Sequence, residues 1–202
     1  MKIKNYKLRD FFKQKDGVIN TYLIFLESLK PLSEITNPLY KWWKIGNWKH
    51  SKMIKVKSVM ECTFGQVEEL RQLMYEGSID SVIEGVSIVT NTSKKMIYHF
   101  TIIDFYSIIK SITNDLITLS NMEYNELHQE NDDPHIEMVR AGERMEKFGT
   151  LNTINSLAGD DITKWEQVEN MPYMVVFTKL RMDKEKAAIQ KDLVDLQKKK
   201  QG

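Results

Sequence analysis

Residues 102–119 read IIDFYSIIKSITNDLITL, and the spacing within them decides the fold. Ile102, Phe105, Ile109, Ile112, Leu116 and Leu119 recur at intervals of 3, 4, 3, 4 and 3, which places all six along one seam of an amphipathic helix. Ile103, Ile108 and Ile117 widen the stripe. A stripe this wide predicts the central helix of a bundle, packed against two neighbours, and not one strand of a two-stranded coil.

The flanking segments supply further helices. Thr63 and Gln66 have capping-box spacing, which opens a helix that runs to about residue 75 and stops near Gly77. Ser78 caps a second helix over 79–89, and Asn91-Thr92-Ser93 reads as a loop. Downstream, 123–133 is polar and acidic, and Asp133-Pro134 opens a helix to about Phe148 that Gly149 ends. Residues 151–157 form a short helix and 158–160 a turn, after which Asp160 or Asp161 caps a short helix bearing Trp165 and Val168. Pro172 opens a long terminal helix with one apolar stripe of Tyr173, Val176, Phe177 and Leu180 and a second of Ile189, Leu193 and Leu196. Its Lys-rich end is expected to fray. Near the other end, 18–29 reads as a short buried helix stopped at Lys30-Pro31. Residues 52–59, KMIKVKSV, alternate as the one plausible strand and need a pairing partner. The expected architecture is mainly α: an irregular helical bundle with a basic N-terminal arm, an extended C-terminal helix and at most one or two short strands near 52–59. Residues 1–60 are read as an arm or small subdomain, 61–180 as the helical body and 181–202 as the extended helix and basic tail.

Composition narrows the classes. With 202 residues, 42% apolar and 28% charged, the chain has globular usage and length enough for a core, so disorder throughout is excluded. A single cysteine, Cys62, excludes a disulfide scaffold and a paired-thiol zinc or redox site. No window reaches the roughly 18 apolar residues of a membrane span, and the N-terminus has no secretory core, so the expectation is a protein made and kept inside a cell or built into an assembly there. Lys outnumbers Arg 24 to 5 and Ile reaches 20 against 4 Ala, a bias that follows AT-rich codons and points to a low-GC bacterium or one of its viruses.

A net charge of +1 conceals an uneven layout. Residues 1–60 carry 13 basic and 4 acidic side chains (+9), residues 61–179 carry 9 and 20 (−11), and residues 180–202 carry 7 and 4 (+3). Either the ends bind an acidic surface, including the body of another copy, or the arm folds back onto its own body.

Chemical motifs are sparse. His128 and His135 flank an acidic run, but a proline between them and a spacing unlike any zinc helix favour a solvated turn over a metal site. His50 and His99 are isolated, and His99 beside Phe100 reads as a core-edge histidine. No nucleophile elbow, zincin helix, Walker loop or dinucleotide fingerprint is present, so neither an enzyme nor a cofactor site is expected. Cys62 reads as a buried structural thiol. The unusual local feature is Trp42, Trp43 and Trp48 among Lys41, Lys44, Lys49 and Lys52, three of four tryptophans in one short stretch. Indoles there suit packing in the fold or on a protein partner, while the lysines leave nucleic acid and a lipid interface as alternatives.

The segment GDDITKWEQVENMPYMVVF at 159–177 resembles the W-x-x-V-x-x-M-P-Y-x-x-x-F helical corner of small proteins from tailed-phage structural gene clusters, and Thr63 to Val67 is compatible with that kind of protein. In such a corner Trp165, Val168 and Met171 share a face, Pro172 breaks and restarts the helix, and Tyr173 with Phe177 closes it. The resemblance implies a virion subunit near the neck, head-tail connector or tail. Its partners would be other phage structural proteins, in a homo-oligomer or ring, with the host cytoplasm as its location before assembly. A tail assembly chaperone acting transiently in the host cytoplasm is the alternative, and a nucleic-acid-binding module is the third class. The resemblance brings no catalytic residue, metal or cofactor. The expected partner-binding residues are Trp42, Trp43 and Trp48 in the arm and Ile189, Leu193 and Leu196 in the terminal helix.

Overall fold

The computed structural model describes residues 6–14, 26, 28–40, 51–128 and 140–201. Its elements in chain order are α1 (Leu8–Phe11), β1 (Glu34–Thr36), β2 (Met53–Lys55), α2 (Phe64–Glu76), α3 (Ile79–Thr90), α4 (Lys94–Ile97), α5 (Ile102–Leu127), α6 (Ala141–Glu146), α7 (Thr150–Leu157), α8 (Trp165–Glu169) and α9 (Tyr173–Gln201), with 3-10 turns at Val59–Glu61 and Ile162–Lys164. The protein is mainly α, as the periodicity predicts, with one two-stranded sheet among the described residues. The chain forms two compact units: Met1–Cys62 with Glu69–Ile117, and Thr63–Glu68 with Thr118–Gly202.

Unit one is organised by the entry to α5. The first amides of a helix have no partner within it and must find one outside. Here the Asp104 amide donates to the Thr101 hydroxyl at 3.1 Å, that hydroxyl donates to the Asp104 carboxylate at 2.7 Å, and the Ile102 amide donates to the Tyr6 carbonyl at 2.9 Å. The last bond draws the N-terminal segment alongside. Lys7 bridges Thr101 in antiparallel sense and the Leu8 amide donates to the Phe100 carbonyl at 3.0 Å, which buries Leu8 and Phe11. The sheet adds a second apolar patch, since Ile35 opposite Ile54 is buried with it. The strand expected near 52–59 therefore finds its partner at 34–36. The described residues of the first sixty thus include buried parts of unit one.

α5 carries the core of this unit on one face. Ile102, Phe105, Ile108 and Ile112 are buried, Ile109 and Leu116 are half-buried, and Ile117 is 55% exposed. The expectation that Ile117 widens the buried stripe is corrected. At 100° per residue it lies about 140° around the axis from Ile112, beyond the width of the core face. Polar ties fix the helix laterally: the Asp115 carboxylate accepts from the Ser58 hydroxyl at 2.7 Å and the Val59 amide at 2.9 Å, and the Ser111 hydroxyl accepts from the Leu32 amide at 3.1 Å.

The predicted caps of α2 and α3 are present. The Gln66 amide donates to the Thr63 hydroxyl at 3.3 Å while the Thr63 amide donates to the Gln66 side chain at 3.2 Å, and Ser78 accepts from the Ser81 amide at 3.1 Å. Gly77, at φ +64°, makes the reversal between the two helices in a conformation that L side chains rarely adopt.

Two expectations fare differently. The helix read for 134–148 is, among the described residues, only α6, which begins after Arg140 in the left-handed region at φ +48° and ends at Glu146. α4 is a further turn of helix that follows directly on the expected loop at 91–93. The basic tail expected to fray is helical to Gln201, where lysines near the helix C-terminus complement its dipole. The helix read at 18–29 lies largely outside the described residues.

Ile112→Ala should cost roughly 2–5 kcal/mol of stability, as a buried aliphatic truncation, whereas Ile117→Ala should stay within about 0.5 kcal/mol. Denaturant unfolding of both variants checks this. Equal losses would mean that the buried face of α5 is misassigned.

Candidate functional site

Unit two gathers its buried side chains around the entry to α9. The Phe64 amide donates to the Met171 carbonyl at 2.8 Å and Thr63 bridges Pro172, so the chain leading into α9 runs beside the start of α2. Gly65 permits that approach, because a Cβ there would lie 3.2 Å from the Glu169 Cβ and 3.3 Å from its carbonyl oxygen. Tyr173 is buried with its ring stacked against Phe64 at 6.3 Å and Phe177 at 6.4 Å, and its hydroxyl donates to the Glu123 carboxylate. In the corner at 159–177, Val168 is buried and Trp165 and Met171 are half-buried, with the Trp165 indole donating to the Asn155 side chain at 3.2 Å.

The turn before this corner is held electrostatically. The Asp161 carboxylate accepts from the Thr163 hydroxyl at 2.6 Å and its amide at 3.0 Å, beside the Lys164 ammonium at 3.0 Å. The Thr163 hydroxyl, the Lys164 ammonium and the Thr163 amide together lower its pKa to about 2. A depressed carboxylate stabilises the fold above its unfolded-state value and loses that contribution as pH falls through the folded one. Acidification from about pH 4 to about 2 should therefore loosen the 3-10 turn, followed as a carboxyl titration of Asp161 by NMR. A midpoint at the ordinary aspartate value would contradict the cap.

Beyond the corner, α9 is fastened by its first three turns. Val176 and Phe177 are buried, Arg181 pairs with Glu126 at 3.0 Å, and the Lys184 ammonium donates to the carbonyls of Glu126 and His128 at 2.9 Å each. Those carbonyls lie at the C-terminal end of α5, where helical acceptors lack intrahelical donors. After Lys184, every residue from 185 to 199 is exposed.

The exposed face has a pattern. Val175, Met182, Ile189 and Leu196 follow one another at intervals of seven and are 56%, 52%, 51% and 56% exposed. With 100° of turn per residue, this line lies about 120–180° around the axis from the side bearing Tyr173, Phe177 and Lys184. Leu193, at 54%, borders it. The predicted residues Ile189, Leu193 and Leu196 are therefore brought together on one solvent-facing stripe. Sequence reasoning missed Val175 and Met182, which the seven-residue interval alone could have revealed. Trp42, Trp43 and Trp48 lie outside the described residues. An unpartnered apolar line on a helix, flanked by charges, is the arrangement that docks another helix.

Other candidates offer less chemistry. An apolar cavity of about 330 Å³ in unit one, lined by Phe11, Phe12, Ile79, Val82, Tyr106 and Ile109, explains why Ile109 is half-buried, and the Tyr106 phenol has its pKa raised by burial. The Cys62 thiol is fully buried, donates to the Ser58 carbonyl at 3.6 Å and has its pKa raised chiefly by desolvation. His128 is exposed and stacks on Tyr124 at 5.0 Å, while His135 lies outside the described residues. Among the described residues no three His, Cys, Asp or Glu are grouped to hold a metal ion, and no helix is long and apolar enough to cross a membrane.

The class defined by these elements is a mainly α protein whose terminal helix carries an exposed apolar stripe. Comparison with protein families, with curated proteins and with solved structures finds no match to the chain.

Tyr173→Ala should cost about 3–5 kcal/mol, because it empties the aromatic stack, whereas Ile189→Ala should change the stability of the dilute protein by less than about 0.5 kcal/mol. Thermal melts of the two variants separate the half of α9 that holds the fold from the half that does not.

Proposed function

We propose that this chain is a structural or assembly subunit that binds neighbouring proteins through the C-terminal half of α9. On the resemblance of 159–177, its place is in a tailed-phage particle near the head-tail connector or tail. The observation that supports the binding role is the exposed line Val175, Met182, Ile189 and Leu196 on a helix whose residues 185–199 are all exposed. A solitary helix of this length is marginal in water, and its usual stabilisation is burial of an apolar face against a partner. The Trp-rich basic segment at 41–50 is the second contact in this proposal, with lysines suited to the acidic surface of another subunit. Enzymatic catalysis forms no part of the reading.

Mass spectrometry of purified particles tests it. The full chain should be present in intact particles at a fixed copy number, and Leu193→Glu should exclude it from them without lowering its melting temperature. Presence in infected-cell lysate with absence from particles would overturn residence in the virion in favour of a transient assembly chaperone.

A further inference from the structure

We propose that the occupant of the α9 stripe is the same stripe of a second copy, the two helices pairing antiparallel about a two-fold axis near Lys191. This rests on the reading of α9 as a protein-binding helix and names its partner. Two adjacent lines form the seam: Val175, Met182, Ile189 and Leu196 in one, and Lys179, Lys186 and Leu193 in the other, offset by four residues. In a parallel pair each seam residue meets its own copy, so Lys179 would face the partner's Lys179 and Lys186 the partner's Lys186. An antiparallel pair exchanges the lines, which separates each lysine from its own copy and sets Lys186 against an apolar side chain.

The favoured register sets Ile189 against the partner's Leu193, a contact that symmetry repeats, so the centre holds two wholly apolar layers. Lys186 falls against the partner's Leu196, where its methylene stem covers the leucine and its ammonium reaches the rim. At that rim Glu185 faces the partner's Lys199, again twice. Asp192 approaches the partner's Asp192 on the axis, with the partner's Lys186 beside it. The charges of Glu185, Lys186, Asp192 and Lys199 cancel within each chain, and all four side chains are exposed. A register one heptad further toward the C-terminus also pairs Asp192 with the partner's Lys199, but it shortens the overlap and removes Ile189 from its apolar partner.

Light scattering and sedimentation of the full chain over a concentration series test this. The parent should dimerise reversibly, and Leu193→Glu should leave a monomer with an unchanged melting temperature in dilute solution. Glu185→Lys and Lys199→Glu should each weaken the dimer a few-fold, and the double variant should restore it, because the swap preserves both rim pairs only in this register and orientation. A chain that stays monomeric throughout, or a dimer that survives Leu193→Glu, overturns self-pairing. A double variant no tighter than the single ones overturns the register. Failure here is distinct from failure of the docking role: a parent that is monomeric in isolation, yet loses particle incorporation on Leu193→Glu, discards only the second copy as occupant.

Discussion

Burial of one face of α5 is the constraint on which the remaining structure depends. Ile102, Phe105, Ile108 and Ile112 from that face are core to unit one, and Leu119 further along the same helix is fully buried in unit two. Such a helix needs its ends settled as well as its face, and each end is satisfied by a distant part of the chain. Its first amide is taken by the Tyr6 carbonyl, and two carbonyls at its last turn accept from Lys184. A hydrogen bond contributes only about 1 kcal/mol net, whereas leaving a buried backbone group without one costs more. That penalty makes the Tyr6 contact matter at the buried first turn, whereas the Lys184 contacts lie at an exposed end where water is the alternative partner.

α9 divides into parts held by different physics. Its first turns are fixed by aromatic stacking and by the Glu126 and His128 contacts, so they inherit the stability of unit two. From residue 185 onward only intrinsic propensity and local charge support the helix in an isolated chain. Association at that surface would stabilise the outer helix with the logarithm of partner concentration above the dissociation constant, leaving the aromatic corner as it is.

Much of the helical layout was legible in the sequence because its signals are local. The Thr63–Gln66 and Ser78–Ser81 caps depend on residues three apart, and the α5 seam depends on a spacing that only a helix brings into line. Features that depend on distant chain segments were not legible. Nothing in the sequence says that Tyr6 will meet Ile102 or that residues 34–36 will pair with 53–55. Arg140 gives no hint of its left-handed conformation, which more often falls to glycine or asparagine. Thr101-x-x-Asp104 was a readable cap that the apolar run beside it overshadowed. At the candidate site, the stripe of Ile189, Leu193 and Leu196 was visible as spacing, but its exposure was not, because apolar periodicity looks the same whether a face is buried or bare.

The buried thiol of Cys62 gives this molecule a clock of its own. A thiol with no exposure and a pKa raised by desolvation presents almost no thiolate to a reagent while the fold is closed, so modification counts openings of the surrounding structure. Because it is the only cysteine, that count has a single origin and needs no engineered label. Where reclosing outruns modification, the labelling rate reports the equilibrium fraction of open molecules; where the reagent is fast, it reports the opening rate itself.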